Sequence, residues 1–326
     1  EAATMDRLGL LDASTLVVER HRDGDWYATN AEVRFSEPRH GIMAWLAEPA
    51  LMGGLEFVSP EAYVAASAVT KDAEDMFDDL LELIATEGDD ALDEIRLFEQ
   101  SIGIDLREHL AATFGGEATF ALDGPILPVP SWKLIVEVID PDTLVHTLER
   151  AVALVNTELT SLGEAPVVFE TTENAGRIYY SLSREGLHTP VVFTVVDGYL
   201  VAAPSQALIV QAIERRESGI SLASSAAFRA LLPDNGYTNC SALVYRDLGS
   251  LIDALPAEMI GELEFADALS DDLSQGLVCI FGEEDRITAS ATGGSLVGLA
   301  STLGIFGAQW AEDYRIEEVS ETEAVS

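Results

Sequence analysis

The sequence predicts an α+β fold with largely antiparallel sheets, helices on one face, and an internal duplication of strand–helix units. Three observations predict it. Short runs alternate between apolar and polar residues, several of them end at a helix-capping residue, and an amphipathic helical pattern follows each cap. Each strand–helix pair can bury only one face, so several pairs must share a sheet. The hairpins and the alternation favour antiparallel pairing.

The strand–cap–helix unit occurs four times along the chain. In the third unit the strand is a hairpin, residues 191–196 and 199–203, and its turn Asp197-Gly198 is typical of a tight hairpin. Pro141 suits the first position of its helix, where the missing N–H costs no hydrogen bond. The strands are residues 63–69, 132–139, 191–203 and 240–245, and the caps after them are Asp72, Asp140, Ser205 and Asp247.

Self-similarity between the ends of the chain predicts how it divides. Residues 63–72 align with residues 237–247 with one residue of slippage, which indicates a duplication whose halves meet near residues 160–220. Alternating runs near the start of the chain predict an edge hairpin. The predicted parts are an N-terminal edge-hairpin region (1–50), a first α+β half (51–217), a second α+β half (218–311) and an acidic tail (312–326).

The charge balance excludes two classes of partner. The 326 residues include 57 acidic and 18 basic side chains, for a formal charge of −39, while 48% of the residues are hydrophobic. That apolar content is too high for an intrinsically disordered acidic chain. Nucleic acids and anionic membrane surfaces both require a basic footprint, so neither is expected as a partner.

The basic residues are almost all arginine, since Lys71 and Lys133 are the only lysines. A protein adapted to high salt would show this composition, because screening over about 3 Å at 1 M suppresses the repulsion between its carboxylates. A genome that encodes arginine in place of lysine, together with selection for solubility, is the other explanation. Calcium binding is not favoured, because the chain contains no D-x-[DN]-x-[DN]-G loop.

The two cysteines, Cys240 and Cys279, each lie in an apolar run that predicts a strand. Two alternatives stay open for them: two buried free thiols, or one cross-strand disulfide. The disulfide would indicate an oxidising compartment. No C-x-x-C motif and no Cys/His cluster is present, so zinc and thioredoxin-like chemistry have no support.

One long stretch without charge, residues 287–310, also allows two interpretations. It is long enough to span a bilayer and contains a Gly-x-x-x-Gly spacing. However, its first part alternates like a strand and no basic flank follows it, which favours a strand followed by a buried helix. An exposed apolar patch would serve as a docking surface for a partner, either on an open face of the sheet or in this stretch. The candidate residues in the stretch are Leu296, Leu299, Leu303, Phe306 and Trp310.

The sequence contains no recognisable catalytic constellation. Neither a G-x-S-x-G elbow nor an S-x-x-K motif is present. The histidines are scattered, and none is spaced at i, i+4 with another: His21, His40, His109, His146 and His188. Carboxylate pairs are too numerous in this chain for any to be singled out. We therefore predict no catalytic, cofactor-binding or metal-binding residues.

Four segments in a fixed order carry a resemblance to a known family. They are residues 103–117 (GIDLREHLAATFGGE), 196–201 (VDGYLV), the helix at 205–215, and 221–232 (SLASSAAFRALL). From about residue 50 to 305, the chain resembles the uncharacterised bacterial family named domain of unknown function thirty-three fifty-two. The resemblance implies an extracytoplasmic protein whose relatives carry an N-terminal export or anchor segment. It brings no assigned catalytic residues.

Together these observations predict a non-catalytic extracytoplasmic protein, periplasmic or secreted, that acts as a binding or accessory subunit of a larger envelope assembly. We expect a protein partner, no cofactor, and membrane contact through that partner or through an N-terminal anchor removed by processing. One alternative is a carrier of a lipophilic ligand, which would show an apolar cavity of several hundred Å³. A hydrolase with a non-standard site, the other alternative, would show a perturbed carboxylate or histidine in a cleft.

Overall fold

The computed structural model describes residues 2–23, 26–86, 89–186, 189–233, 239–256 and 275–292. The strands are β1 (Ala13–Asp23), β2 (Trp26–Phe35), β3 (Val64–Val69), β4 (Phe114–Leu122), β5 (Trp132–Val138), β6 (Val167–Asn174), β7 (Arg177–Arg184), β8 (Val191–Val196), β9 (Tyr199–Ala203), β10 (Ala242–Asp247), β11 (Gln275–Gly282) and β12 (Arg286–Thr292). The helices are α1 (Ala2–Leu8), α2 (Ala73–Ala85), α3 (Asp89–Ile102), α4 (Leu106–His109), α5 (Pro141–Ser161), α6 (Gln206–Ser218), α7 (Ala226–Leu231) and α8 (Leu248–Asp253). Short 3₁₀ helices cover Gly41–Ala44, Gly53–Phe57, Ala111–Thr113 and Leu222–Ser224.

All the described strands belong to one antiparallel sheet. Its order is β1-β2-β12-β11-β10-β3-β4-β5-β9-β8-β7-β6, so β1 and β6 are the end strands. The prediction of an α+β fold with largely antiparallel strands is confirmed. The predicted N-terminal hairpin forms from β1 and β2, which pair from Ala13 opposite Phe35 to Asp23 opposite Trp26.

The four predicted capping residues all cap helices. Each accepts a hydrogen bond from a backbone N–H in the first turn, which satisfies a donor that has no partner within the helix. Asp72 accepts from Glu74, Asp140 from Thr143, Ser205 from Leu208 and Asp247 from Ser250. Pro141 is the first residue of α5, as its missing N–H predicts. These signals could be recognised in the sequence because each cap contacts residues only two or three positions away.

The helices pack on both faces of the sheet, which corrects the expectation of helices on one face. Ile209 of α6 packs in one core cluster with Ile135 and Val201. Leu144 of α5 packs in another cluster with Leu200, which lies on the opposite side of β9 from Val201. Both faces need cover because the central strands β5 and β9 carry apolar side chains on both sides. We call the two sides the α6 face and the α5 face.

The two predicted halves share this sheet. Strands β3 and β10, one from each half, pair with each other, and Ala242 lies opposite Ala68. This pairing places strands from residues 51–217 and from residues 218–311 side by side in one sheet, and it does not test the boundary between the two halves. The duplication and the division into 1–50, 51–217, 218–311 and 312–326 therefore stay predictions.

The uncharged stretch at 287–310 begins as the predicted strand, because residues 287–292 belong to β12. The remainder of the stretch lies outside the described residues. So does the whole candidate docking surface, which comprises Leu296, Leu299, Leu303, Phe306 and Trp310. Within the ranges that are described, no helix is both long enough and apolar enough to cross a membrane.

The two cysteines form a disulfide, which is one of the two alternatives left open by the sequence. Their Cα atoms lie 5.5 Å apart, and both residues are buried. Cys279 lies within β11, and Cys240 lies just before β10, the neighbouring strand. The bond therefore ties the start of β10 to the middle of β11.

Candidate functional site

The outer strand of the sheet, β1, offers an exposed edge. Among the described strands it pairs with β2 alone, and every residue from 13 to 19 is exposed. Three consecutive large apolar side chains lie on it: Leu16 is 61% exposed, Val17 41% and Val18 60%. A long apolar edge strand with unpaired backbone groups is a template on which another strand can pair. We call residues 13–19 the β1 edge.

The register of the sheet determines which way these side chains point. Leu16 pairs with Val33 and Val18 with Ala31, while Val17 pairs with Glu32. Directly opposed residues share a face. When the pairings are followed across β12, β11 and β10, Leu16 and Val18 lie on the α5 face and Val17 lies on the α6 face. The β1 edge is therefore apolar on both faces.

The opposite edge of the sheet, β6, is partly closed by side chains. The side-chain amide of Asn156 donates to the carbonyl oxygen of Val167 at 2.8 Å, and its oxygen accepts from the Val167 N–H at 2.7 Å. Both outward backbone groups of Val167 are thus occupied. Exposed carboxylates of Glu170 and Glu173 follow along the same strand. Charge and capping of this kind discourage a further strand from pairing.

A buried carboxylate anchors the 3₁₀ helix Gly53–Phe57 onto the α6 face. Glu117 accepts hydrogen bonds from the backbone N–H of Gly53 at 3.0 Å, from that of Gly54 at 2.6 Å, and from the Tyr199 hydroxyl at 2.8 Å. Burial, with the hydrogen bond to Glu117, raises the pKa of Tyr199 well above its usual value. A Cβ at Gly53 would collide with the Tyr199 hydroxyl, so glycine allows the turn to approach Tyr199 this closely. Three hydrogen bonds thus connect this carboxylate to the turn and to Tyr199.

A second buried cluster holds the residues that follow that turn. Asp123 accepts from the Ser59 N–H at 2.9 Å and from the Ser59 hydroxyl at 2.5 Å, and it forms an ion pair with Lys133. Lys133 is only 2% exposed. Burial alone would raise the pKa of Asp123, but the charge of Lys133 and the hydrogen bonds from Lys133 and Ser59 outweigh it and lower that pKa. The cluster therefore keeps Asp123 ionised.

This second cluster borders a cavity of about 450 Å³. Ser59, Asp123 and Lys133 line it together with Arg215 and Glu61. A serine nucleophile needs a base that will take its proton, and an aspartate with a lowered pKa is a weak base. The lowered pKa of Asp123 argues against activation of Ser59, although Asp123 is the perturbed carboxylate in a cleft that the hydrolase alternative predicted.

Two further cavities in the described part of the chain are also lined by charged groups. One, of about 370 Å³, lies beside β1, β2 and β12 and is lined by Glu19, Glu32 and Arg286 among others. The other, of about 450 Å³, is lined by Asp142 and Arg177 among others. A lipophilic ligand favours an apolar lining with few polar groups, whereas each of the three cavities has at least two charged side chains in its lining. None of these three cavities therefore supports the carrier alternative.

The histidines do not come together in the described ranges. His146 is exposed on α5, His109 bonds within its own turn to Asp105, and His40 lies 3.5 Å from a carboxylate oxygen of Asp12. His188 and the side chain of His21 lie outside what is described. Within the same ranges, no group of three or more His, Cys, Asp or Glu residues is arranged to hold a metal ion.

Sequence reasoning missed both buried clusters, although one of them left a signal. Lys133 occupies an inward position of the apolar strand β5, and a lysine at such a position requires a buried carboxylate partner. Nothing comparable marks Glu117, since glutamate is common throughout this acidic chain. Its partners Gly53 and Tyr199 are 64 and 82 residues away in sequence.

No family model matches the chain, and no match was found among curated proteins or among solved structures. The resemblance to domain of unknown function thirty-three fifty-two therefore stays a prediction. The extracytoplasmic location, the protein partner and the absence of catalysis stay predictions as well.

Proposed function

We propose that the protein is a non-catalytic binding or accessory subunit of a larger assembly in the cell envelope, and that it binds another protein chain through the β1 edge. The exposed apolar end strand is the observation that carries this proposal. A strand added there would form backbone hydrogen bonds along β1, and these would supply affinity. Leu16 and Val18 on one face, with Val17 on the other, would supply apolar contacts on both sides of the new strand.

Two further observations support the proposal. Glu117 and Asp123, two buried carboxylates on the α6 face, both bind the segment from Gly53 to Ser59, so their chemistry is used in holding the fold. The disulfide between Cys240 and Cys279 suits an oxidising compartment such as the periplasm or the exterior of the cell.

The test is the native mass of the protein isolated gently from its own cells, compared between the wild type and two variants. Val17→Glu places a charge in the β1 edge, and Val168→Glu places the same charge on β6 at a position that is 42% exposed, against 41% for Val17. We expect a complex heavier than the 35.0 kDa chain for the wild type and for Val168→Glu, and its loss for Val17→Glu. A complex that survives Val17→Glu would refute binding through this edge. A lone wild-type chain carrying a lipid mass would instead support the carrier alternative.

A further inference from the structure

We propose that the chain that pairs with the β1 edge is a second copy of this protein, with the two β1 strands antiparallel about a twofold axis at Val17. This inference rests on the proposed function, because it names the partner of the same edge. The product would be one continuous sheet running through two molecules.

The sequence of the β1 edge is complementary to itself in this register. When an antiparallel pair has its axis at residue 17, each residue faces the one equally far on the other side of 17, and opposed residues share a face. Val17 then faces the partner's Val17 on the α6 face. Leu16 faces the partner's Val18 on the α5 face. Thr15 faces the partner's Glu19, so no two like charges oppose each other within residues 15–19.

Other registers of the same pair are poorer. With the axis at Glu19, two carboxylates face each other, and like charges directly opposite are destabilising. With the axis at Val18, Val17 faces the partner's Glu19, and with the axis at Leu16, Val17 faces the partner's Thr15. The register about Val17 is the one that sets residues 16, 17 and 18 against one another, so all three apolar side chains gain apolar neighbours.

The difference between the two sheet edges favours a closed pair of β1 strands. Pairing of β1 with β6 of the next molecule would be head-to-tail, which leaves free edges and builds filaments. Asn156 occupies both outward backbone groups of Val167 and so hinders that contact. A β1–β1 contact uses the same patch on both copies and closes after two. The geometry therefore points to a dimer.

The first experiment measures the mass of the purified chain by sedimentation equilibrium in about 1 M NaCl, where charge repulsion is screened. We expect a reversible dimer of about 70 kDa, twice the 35.0 kDa chain. Val17→Glu should weaken dimerisation by about tenfold or more, because two carboxylates would then meet on the axis. Val168→Glu, the matched control on β6, should leave the dissociation constant unchanged. Circular dichroism checks that both variants are folded.

The second experiment tests the register by disulfide cross-linking of single-cysteine additions. Val17→Cys places two thiols opposite each other, at the Cα separation of about 4.5–5.5 Å between opposed residues, which a disulfide can bridge. Val18→Cys faces the partner's Leu16, so its two thiols are offset along the strands beyond the roughly 7 Å limit for a disulfide. We expect cross-linked dimer from Val17→Cys and none from Val18→Cys.

Several outcomes would overturn the inference. A wild-type chain that remains a monomer at about 0.1 mM in high salt excludes the dimer. Equal weakening by Val17→Glu and Val168→Glu excludes this edge as the interface. Efficient cross-linking through Val18→Cys excludes this register. The proposed function is tested separately from the dimer. If the purified chain is a monomer but a complex with a different protein in cells is lost with Val17→Glu, the inference is wrong and the proposed function stands.

Discussion

At the scale of single residues, the two lysines of the chain occupy very different surroundings. Lys133 is almost fully buried against Asp123, whose other partner is Ser59. Lys71 lies 2.6 Å from Asp79 with about a quarter of each side chain exposed. A buried ion pair that loses one partner leaves a charge in the protein interior, whereas a partly exposed pair that loses one partner leaves a charge that water still solvates.

This contrast gives a paired prediction. Lys133→Met should lower the free energy of unfolding by about 3–5 kcal/mol, because Asp123 would remain buried and uncompensated. Lys71→Met, the matched control, should lower it by about 1 kcal/mol or less. Urea unfolding of both variants measures the difference. Equal losses of unfolding free energy in the two variants would contradict the burial of the Lys133–Asp123 ion pair.

At the scale of elements, the disulfide connects β10 to β11 across a long connection. Cys240 and Cys279 are separated by 39 residues along the chain. Closing a loop of that length restricts the unfolded chain, so the bond stabilises the fold mainly by lowering the entropy of the unfolded state. The strands it joins belong to the sheet that presents the β1 edge.

The corresponding prediction has two measurements. Replacing both cysteines by alanine should lower the free energy of unfolding by about 4 kcal/mol, the amount expected for a loop of this length. Mass spectrometry of the unreduced native protein after thiol alkylation should find no alkylated cysteine. If both thiols are alkylated in protein taken from its own cells, the prediction of an oxidising compartment is wrong, and so is the proposed extracytoplasmic location.

At the scale of the whole molecule, charge opposes any pairing of two copies. Each chain carries a formal charge of −39, so two chains repel each other over the range of the Debye length. That length falls from about 10 Å at 0.1 M salt to about 3 Å at 1 M. The apolar contacts of the β1 edge do not depend on this screening.

Dimerisation should therefore strengthen as salt is added. We expect the dissociation constant of the wild-type dimer to fall steadily between about 0.1 and 1 M NaCl, because screening removes repulsion and leaves the apolar contacts intact. Sedimentation equilibrium over a salt series measures it. A dissociation constant that rises with salt would indicate attraction between opposite charges, and would contradict an interface centred on three apolar residues.

The local features of the fold could be predicted from the sequence. The caps Asp72, Asp140, Ser205 and Asp247 and the hairpin turn at Asp197-Gly198 all lie where the sequence predicts them. Each depends on hydrogen bonds between residues a few positions apart, so the chain carries the whole signal within one short window.

By itself, then, the sequence determined the α+β class with antiparallel strands and the strand–cap–helix units. Only the tertiary structure decided that helices cover both faces, that Lys133 meets Asp123, and that β1 is an end strand of the described sheet while Asn156 caps Val167 on β6. Sheet order is the physical reason. The order of the strands depends on packing between segments far apart in the chain, and local sequence patterns do not specify which strands pair.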